Sequence, residues 1–136
     1  MPRNGRGCKA KGANFEREIA SFINSTISGL NVRRALLSGG GRSDGGADLD
    51  DLPGIWAELK RVEKVNIHEA MAQATAGLSK SRAQGLVPAV FTRRSQQATP
   101  DSFVTMKLSD WLDLYARANG FVRATQGSKD GIEPQG

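Results

Sequence analysis

One cysteine, one histidine, one tyrosine and two tryptophans are present in this 136-residue chain. The lone Cys8 has no intramolecular disulfide partner, and with His68 as the only imidazole no Cys/His zinc set can be assembled. The same shortage argues against Ser-His-Asp and Cys-His hydrolases, which leaves metal-activated water as the favoured nucleophile for any hydrolytic chemistry. There is no long apolar segment and no basic amphipathic helix with aromatics on its surface, which disfavours a membrane partner. Residues 1–12 are polar and basic, without the apolar core of a signal peptide, so a cytoplasmic location is expected.

The hydrophobic fraction, 38% of 136 residues, suffices for one compact domain and leaves little for a second. Against 14 acidic residues stand 19 Lys and Arg, a formal charge of +5. The bases fall in groups: Arg3, Arg6, Lys9 and Lys11 near the start, then Arg33 and Arg34, then Lys60, Arg61 and Lys64, then Arg93 and Arg94. A polyanion is the natural partner of such clusters, although a solvated face also produces them.

Apolar periodicity and turn residues give a coarse order of elements. A helix is expected over 13–28, a strand over 31–37, a short segment at 48–52 and a strand over 55–61, the last two joined by Pro53-Gly54 as a hairpin. Asn66, with Glu69 three residues later, is a good N-cap for a helix through Ile67, Ala70, Met71, Ala74 and Leu78. Strands over 86–92, with Pro88 near its start or an edge, and over 103–107 follow. A last helix, capped by Ser109, places Trp111, Leu112 and Tyr115 at core spacing. Helix, three strands, helix, two strands, helix makes an α/β protein with a mixed sheet and helices on its faces. Both ends, 1–12 and 126–136, are expected to be mobile.

Chemistry concentrates in residues 48–60, where Asp48, Asp50 and Asp51 precede a strand that carries Glu58 and Lys60. Residues i and i+2 of a strand share a face, roughly 6–7 Å apart, so Glu58 and Lys60 project together with Trp56 while Ile55, Ala57 and Leu59 face the other way. An isolated Glu-x-Lys can equally be a solvated ion pair. Three features favour a site. On the first helix Glu16 falls inside the apolar stripe of Phe15, Ile19, Ala20, Phe22, Ile23 and Ile27, a costly place unless it is paired with an Arg or lies near a metal. Residues 38–47 hold five glycines and Arg42 just ahead of the acidic turn, and read as a substrate loop or a linker. The third feature is the positive charge.

These residues resemble the PD-(D/E)xK nuclease superfamily, and more narrowly the phage and archaeal-type Holliday-junction resolvases. The similarity spans about 11–115 and rests on Lys11-Gly12-Ala13-Asn14-Phe15-Glu16-Arg17-Glu18, on Gly46-Ala47-Asp48 and on Glu58-Leu59-Lys60-Arg61. It implies a restriction-endonuclease-like mixed β-sheet flanked by α-helices over 13–118, with a basic arm at 1–12 and a flexible tail at 119–136. By the resemblance Asp48 is the first acid, with Ala47 where the family has Pro. Glu58 is the second acid, Lys60 the lysine, Glu16 the helix-borne acid, and Gln73 is similar to a helix glutamine near the site. Asp48, Glu58 and the carbonyl of Leu59, with Glu16 in the outer shell, are the expected ligands of Mg²⁺, for which Mn²⁺ substitutes. Lys11, Arg33, Arg34, Arg42 and Arg61 are the expected contacts to the backbone of branched double-stranded DNA. A homodimer making paired cuts is implied; another nuclease on the same fold and a non-catalytic DNA-binding module remain as alternatives.

Overall fold

A computed structural model describes residues 5–35, 46–61 and 63–122, with side chains from Asn14 onward. The elements are α1 (Gly5–Thr26), β1 (Arg33–Arg34), β2 (Leu49–Asp50), β3 (Ile55–Lys60), α2 (Ile67–Lys80), β4 (Val87–Thr92), a 3₁₀ turn (Thr99–Asp101), β5 (Phe103–Thr105) and α3 (Leu108–Ala118). The expected order of helices and strands is the observed one. By contacts the chain divides into two compact units, Met1–Met106 and Lys107–Gly136.

In the first unit β3 pairs in parallel with β4, and β4 pairs antiparallel with β5, giving a mixed three-stranded sheet in the order β3-β4-β5. Parallel neighbours need a crossover, and α2 supplies it. Alternation along β3 sorts its side chains as the period-2 pattern requires. Ala57 and Leu59 join Phe15 and Ile19 of α1, with Ala89 and Phe91, in one core; Trp56 joins Ala70 and Ala74 of α2, with Val90, in the other. The sheet therefore lies between α1 and α2. Asn66 caps α2 as expected, its side-chain oxygen accepting the Glu69 amide at 3.0 Å. Pro88 is the second residue of β4, and β5 pairs only with Val90, Phe91 and Thr92, so the central strand carries a proline where β5 makes no demand on its amide.

Several expectations are corrected. Helix α1 begins at Gly5, not near residue 13: once a packed segment has nucleated a helix, each further residue adds a hydrogen bond for little ordering cost. Phe22 and Ile27 are exposed, because Phe22 sits at the margin of the buried face and Ile27 lies beyond the last turn. The expected Pro53-Gly54 turn forms, the Ile55 amide donating to the Leu52 carbonyl at 3.2 Å, but no ladder extends from it along β3; β2 pairs antiparallel with β1 as a separate two-stranded sheet. Asp51 takes φ 64° and Gly54 φ 82°, and these left-handed residues turn the chain between β2 and β3.

In the second unit, α3 starts one residue ahead of Ser109, with Lys107 at the cap position and no side-chain cap. Trp111, Leu112 and Tyr115, expected in a core, are 43–48% exposed, and the Trp111 and Tyr115 rings stack on each other at 5.2 Å. Core spacing defines an apolar face, but an eleven-residue helix cannot bury that face by itself.

Close packing generates a test at Gly77 of α2, where an added Cβ would lie 3.2 Å from the Trp56 ring. Gly77→Leu should lower the unfolding free energy by about 1–3 kcal/mol through overpacking, outweighing the gain in helix propensity of about 1 kcal/mol. Urea unfolding measures this, and a stabilised variant would show that Trp56 is not confined.

Candidate active site

Asp48 occupies the edge of β3 that β4 does not use. Its backbone N–H donates to the Ala57 carbonyl at 2.8 Å, its carbonyl accepts the Ala35 amide at 3.0 Å, and its Oδ2 accepts the Leu59 amide at 2.8 Å. The residue is thereby fixed at three points between the β1 end and β3. A carboxylate that replaces a neighbouring strand as acceptor satisfies the edge amide and sets the direction of the acid at once.

Two further acids, one from each face of the sheet, lie close enough to feel the charge of Asp48. Glu58 projects on the α2 side, and Lys60 Nζ lies 3.4 Å from its Oε2. Burial, and next the negative charge of Asp48, push the Glu58 carboxyl above its ordinary value, against the opposing pull of Lys60. Glu16 comes from α1; burial and then Asp48 raise its carboxyl too, against the pull of Arg34 and Arg17. Arg34 Nε donates to Glu16 Oε1 at 2.9 Å. The placement of Arg34 has a local cause: the Asn24 side chain bonds both polar groups of Val32, accepting its amide at 2.8 Å and donating to its carbonyl at 2.9 Å. This amide clasp docks the start of β1 on α1.

The remaining expected residues divide. Gln73 of α2 lines a cavity of about 250 Å³ together with Lys60 and Lys64, so it shares the cleft of the strand lysine. Leu59 is buried and contributes its amide to Asp48. Arg33 is exposed and ion-paired with Asp51 at 2.7 Å. Arg61 is half-buried, with its Nε buried and without a hydrogen-bond partner among the described residues. Arg42, the glycine-rich residues 38–45 and the side chain of Lys11 lie outside the described residues.

One member of the basic groups is corrected. Arg93 is only 7% exposed, pairs with Glu18, donates to Thr99 Oγ1 at 2.7 Å and lies over the Phe15 ring at 5.1 Å. It is a core cation, enclosed because α1 and the 3₁₀ turn close over the end of β4, and no local pattern separates it from its exposed neighbour Arg94. Asn24 was likewise missed; its only signal is a polar residue near the end of an apolar stripe.

Comparison with protein-family models, with curated proteins and with solved structures finds no match. The chemistry of the site must be argued from its own atoms. Among the described residues no three carboxylate, imidazole or thiol groups gather closely enough to form a ready-made metal cage. Mg²⁺, however, commonly takes one or two carboxylates and completes its octahedron with water and substrate phosphate. The Asp48–Glu58 pair, two hard donors whose charges already oppose each other, fits that demand.

Two measurements follow. Asp48→Ala should cost about 1–3 kcal/mol by stranding the Leu59 amide, with Asp48→Asn recovering much of the loss in denaturant unfolding. Because the folded-state carboxyl of Glu58 stands above 4.5, protonation favours folding: that contribution is complete below 4.5 and is lost as pH rises through the raised value. Glu58→Gln should therefore melt above the parent at neutral pH without divalent metal, and the gap should close in acid. A gap that persists in acid would assign the effect to packing.

Proposed function

We propose that this chain is a divalent-metal-dependent DNA endonuclease of the PD-(D/E)xK kind, which resolves four-way (Holliday) junctions as a homodimer by paired phosphodiester hydrolysis. The observation that carries the reading is the acid Asp48 pinned on the β3 edge and coupled electrostatically to Glu16 and Glu58, with Lys60 beside Glu58. A solvated ion pair does not explain why two half-buried carboxylates are held where both are disfavoured.

Asp48 and Glu58, joined by the Leu59 carbonyl, would hold Mg²⁺ or Mn²⁺. When bound, such an ion supplies charge neutralisation at the scissile phosphate and a more acidic water. Lys60 orients the attacking water or stabilises the charge that develops on the phosphate oxygens. Glu16 steadies the cluster from its outer side, and Arg34 holds Glu16 in place, a use of this arginine different from a direct phosphate contact. Gln73 lies in the Lys60 cleft, where it can contact an incoming strand. Arg33, Arg42, Lys11 and Arg61 would contact the DNA backbone, which positions substrate without reading sequence. Symmetric resolution needs two copies, because a junction is approximately two-fold and one chain supplies one cluster.

Glu58→Ala and Lys60→Ala should each slow cleavage of a labelled junction in Mg²⁺ by at least about a hundredfold, with DNA affinity near the parent value because phosphate contacts dominate it. Asp51→Ala should be much milder, since Asp51 serves Arg33 at the surface. Parental cleavage by Glu58→Ala would remove the site assignment. A monomer on DNA in sedimentation, or equal cutting of linear duplex and junction, would remove the resolvase reading and leave the nuclease.

A further inference from the structure

Parallel strands β3 and β4 end on one rim, and in sheets of this kind ligands gather beyond the carboxyl ends of the strands. Two cavities open there. The first, about 250 Å³, holds Lys60 and Gln73; the second, about 390 Å³, is bounded by Thr92, Arg94, Phe103 and Thr105. Lys64 and Val65 line both, so the two cavities are neighbours along the rim.

The second cavity has a composition that the hydrolytic reading does not use. Phe103 is 65% exposed on strand β5. Lys64 and Arg94 supply exposed cations beside it, and the Glu63 carboxylate that shares the lining is engaged by the Ser95 amide and hydroxyl, leaving the cations in excess. The rim is a built turn: the Gln97 side chain accepts the Arg94 amide at 2.8 Å and donates to the Asp101 carbonyl at 3.2 Å, while Gln96 takes φ 69°. An aromatic ring flanked by two cations, in the cavity next to the one that holds Lys60, matches the pairing of base stacking and phosphate attraction by which single strands are held.

We propose that this cavity is a subsite for an unpaired nucleotide of the DNA strand running from the Lys60 cleft, with the base stacked on Phe103 and a neighbouring phosphate near Lys64 and Arg94. The inference rests on the nuclease reading and deepens it. A subsite that accepts only an unstacked base would favour branch points over continuous duplex, because a pair at a branch costs less to open than one inside a duplex and a single-stranded flap costs nothing.

The test uses the full chain carrying Glu58→Gln, which should bind without cutting, and measures anisotropy of two labelled DNAs, a duplex with a single-stranded flap and the same duplex without it. Phe103→Ala should weaken flap binding by about fivefold or more and leave continuous duplex unchanged, whereas Phe103→Tyr keeps the parental preference. Phe103→Trp should in addition show quenching of the added indole by the flap alone. Equal effects of Phe103→Ala on both DNAs, or none on either, would overturn the subsite with the nuclease reading intact. Failure of the parent to bind either DNA would overturn both. Conversion of a dimer to a monomer by Phe103→Ala in sedimentation would assign the patch to a second copy and overturn the subsite alone.

Discussion

The acceptance of the Leu59 amide by the Asp48 carboxylate is the contact on which the arrangement turns. Among the described residues strand β3 forms a ladder with β4 alone, and on its other side its polar groups are met by Asp48 and, at Ile55, by the Leu52 carbonyl. One residue thus closes a sheet edge, ties the end of β1 to β3 and points an acid across the strand that bears Glu58 and Lys60. Had the edge been closed by a regular ladder, the amide would be satisfied but no carboxylate would be fixed there.

That arrangement has an energetic consequence. Burial, and next the negative charge of Asp48, raise the Glu16 and Glu58 carboxyls above their ordinary value, and the cations Arg34 and Lys60 offset this only in part. Negative charge crowded into a half-buried cluster opposes folding. The frame that bears this opposition is the two-sided core around β3, with α1 over Ala57 and Leu59 and α2 over Trp56.

Arginines show how far identical residues diverge in this fold. Arg33 and Arg34 are adjacent, yet alternation along β1 sends Arg33 to Asp51 at the surface and Arg34 to Glu16 in the cluster. Arg93 and Arg94 are also adjacent, and the first is enclosed against Phe15 and Glu18 while the second stays in solvent at the rim. Net charge counts all four alike. Their availability to a polyanion is a property of packing.

By itself the sequence determined the elements and their order, the shared face of Glu58 and Lys60, the Asn66 cap and the anomalous place of Glu16. Each follows from a local rule: a period of two or 3.6 residues, a capping geometry, or the cost of an acid in an apolar stripe. Only the tertiary structure decided which strands pair, that β2 joins β1 in a ladder and not β3, that Arg93 is interior, that Trp111 and Tyr115 stay exposed, and that Asn24 clasps Val32. Those outcomes depend on partners distant along the chain, eight residues away for Asn24 and 75 for the Arg93–Glu18 pair. Local periodicity states which face of an element is apolar, and it carries no information about which neighbour, if any, will cover that face.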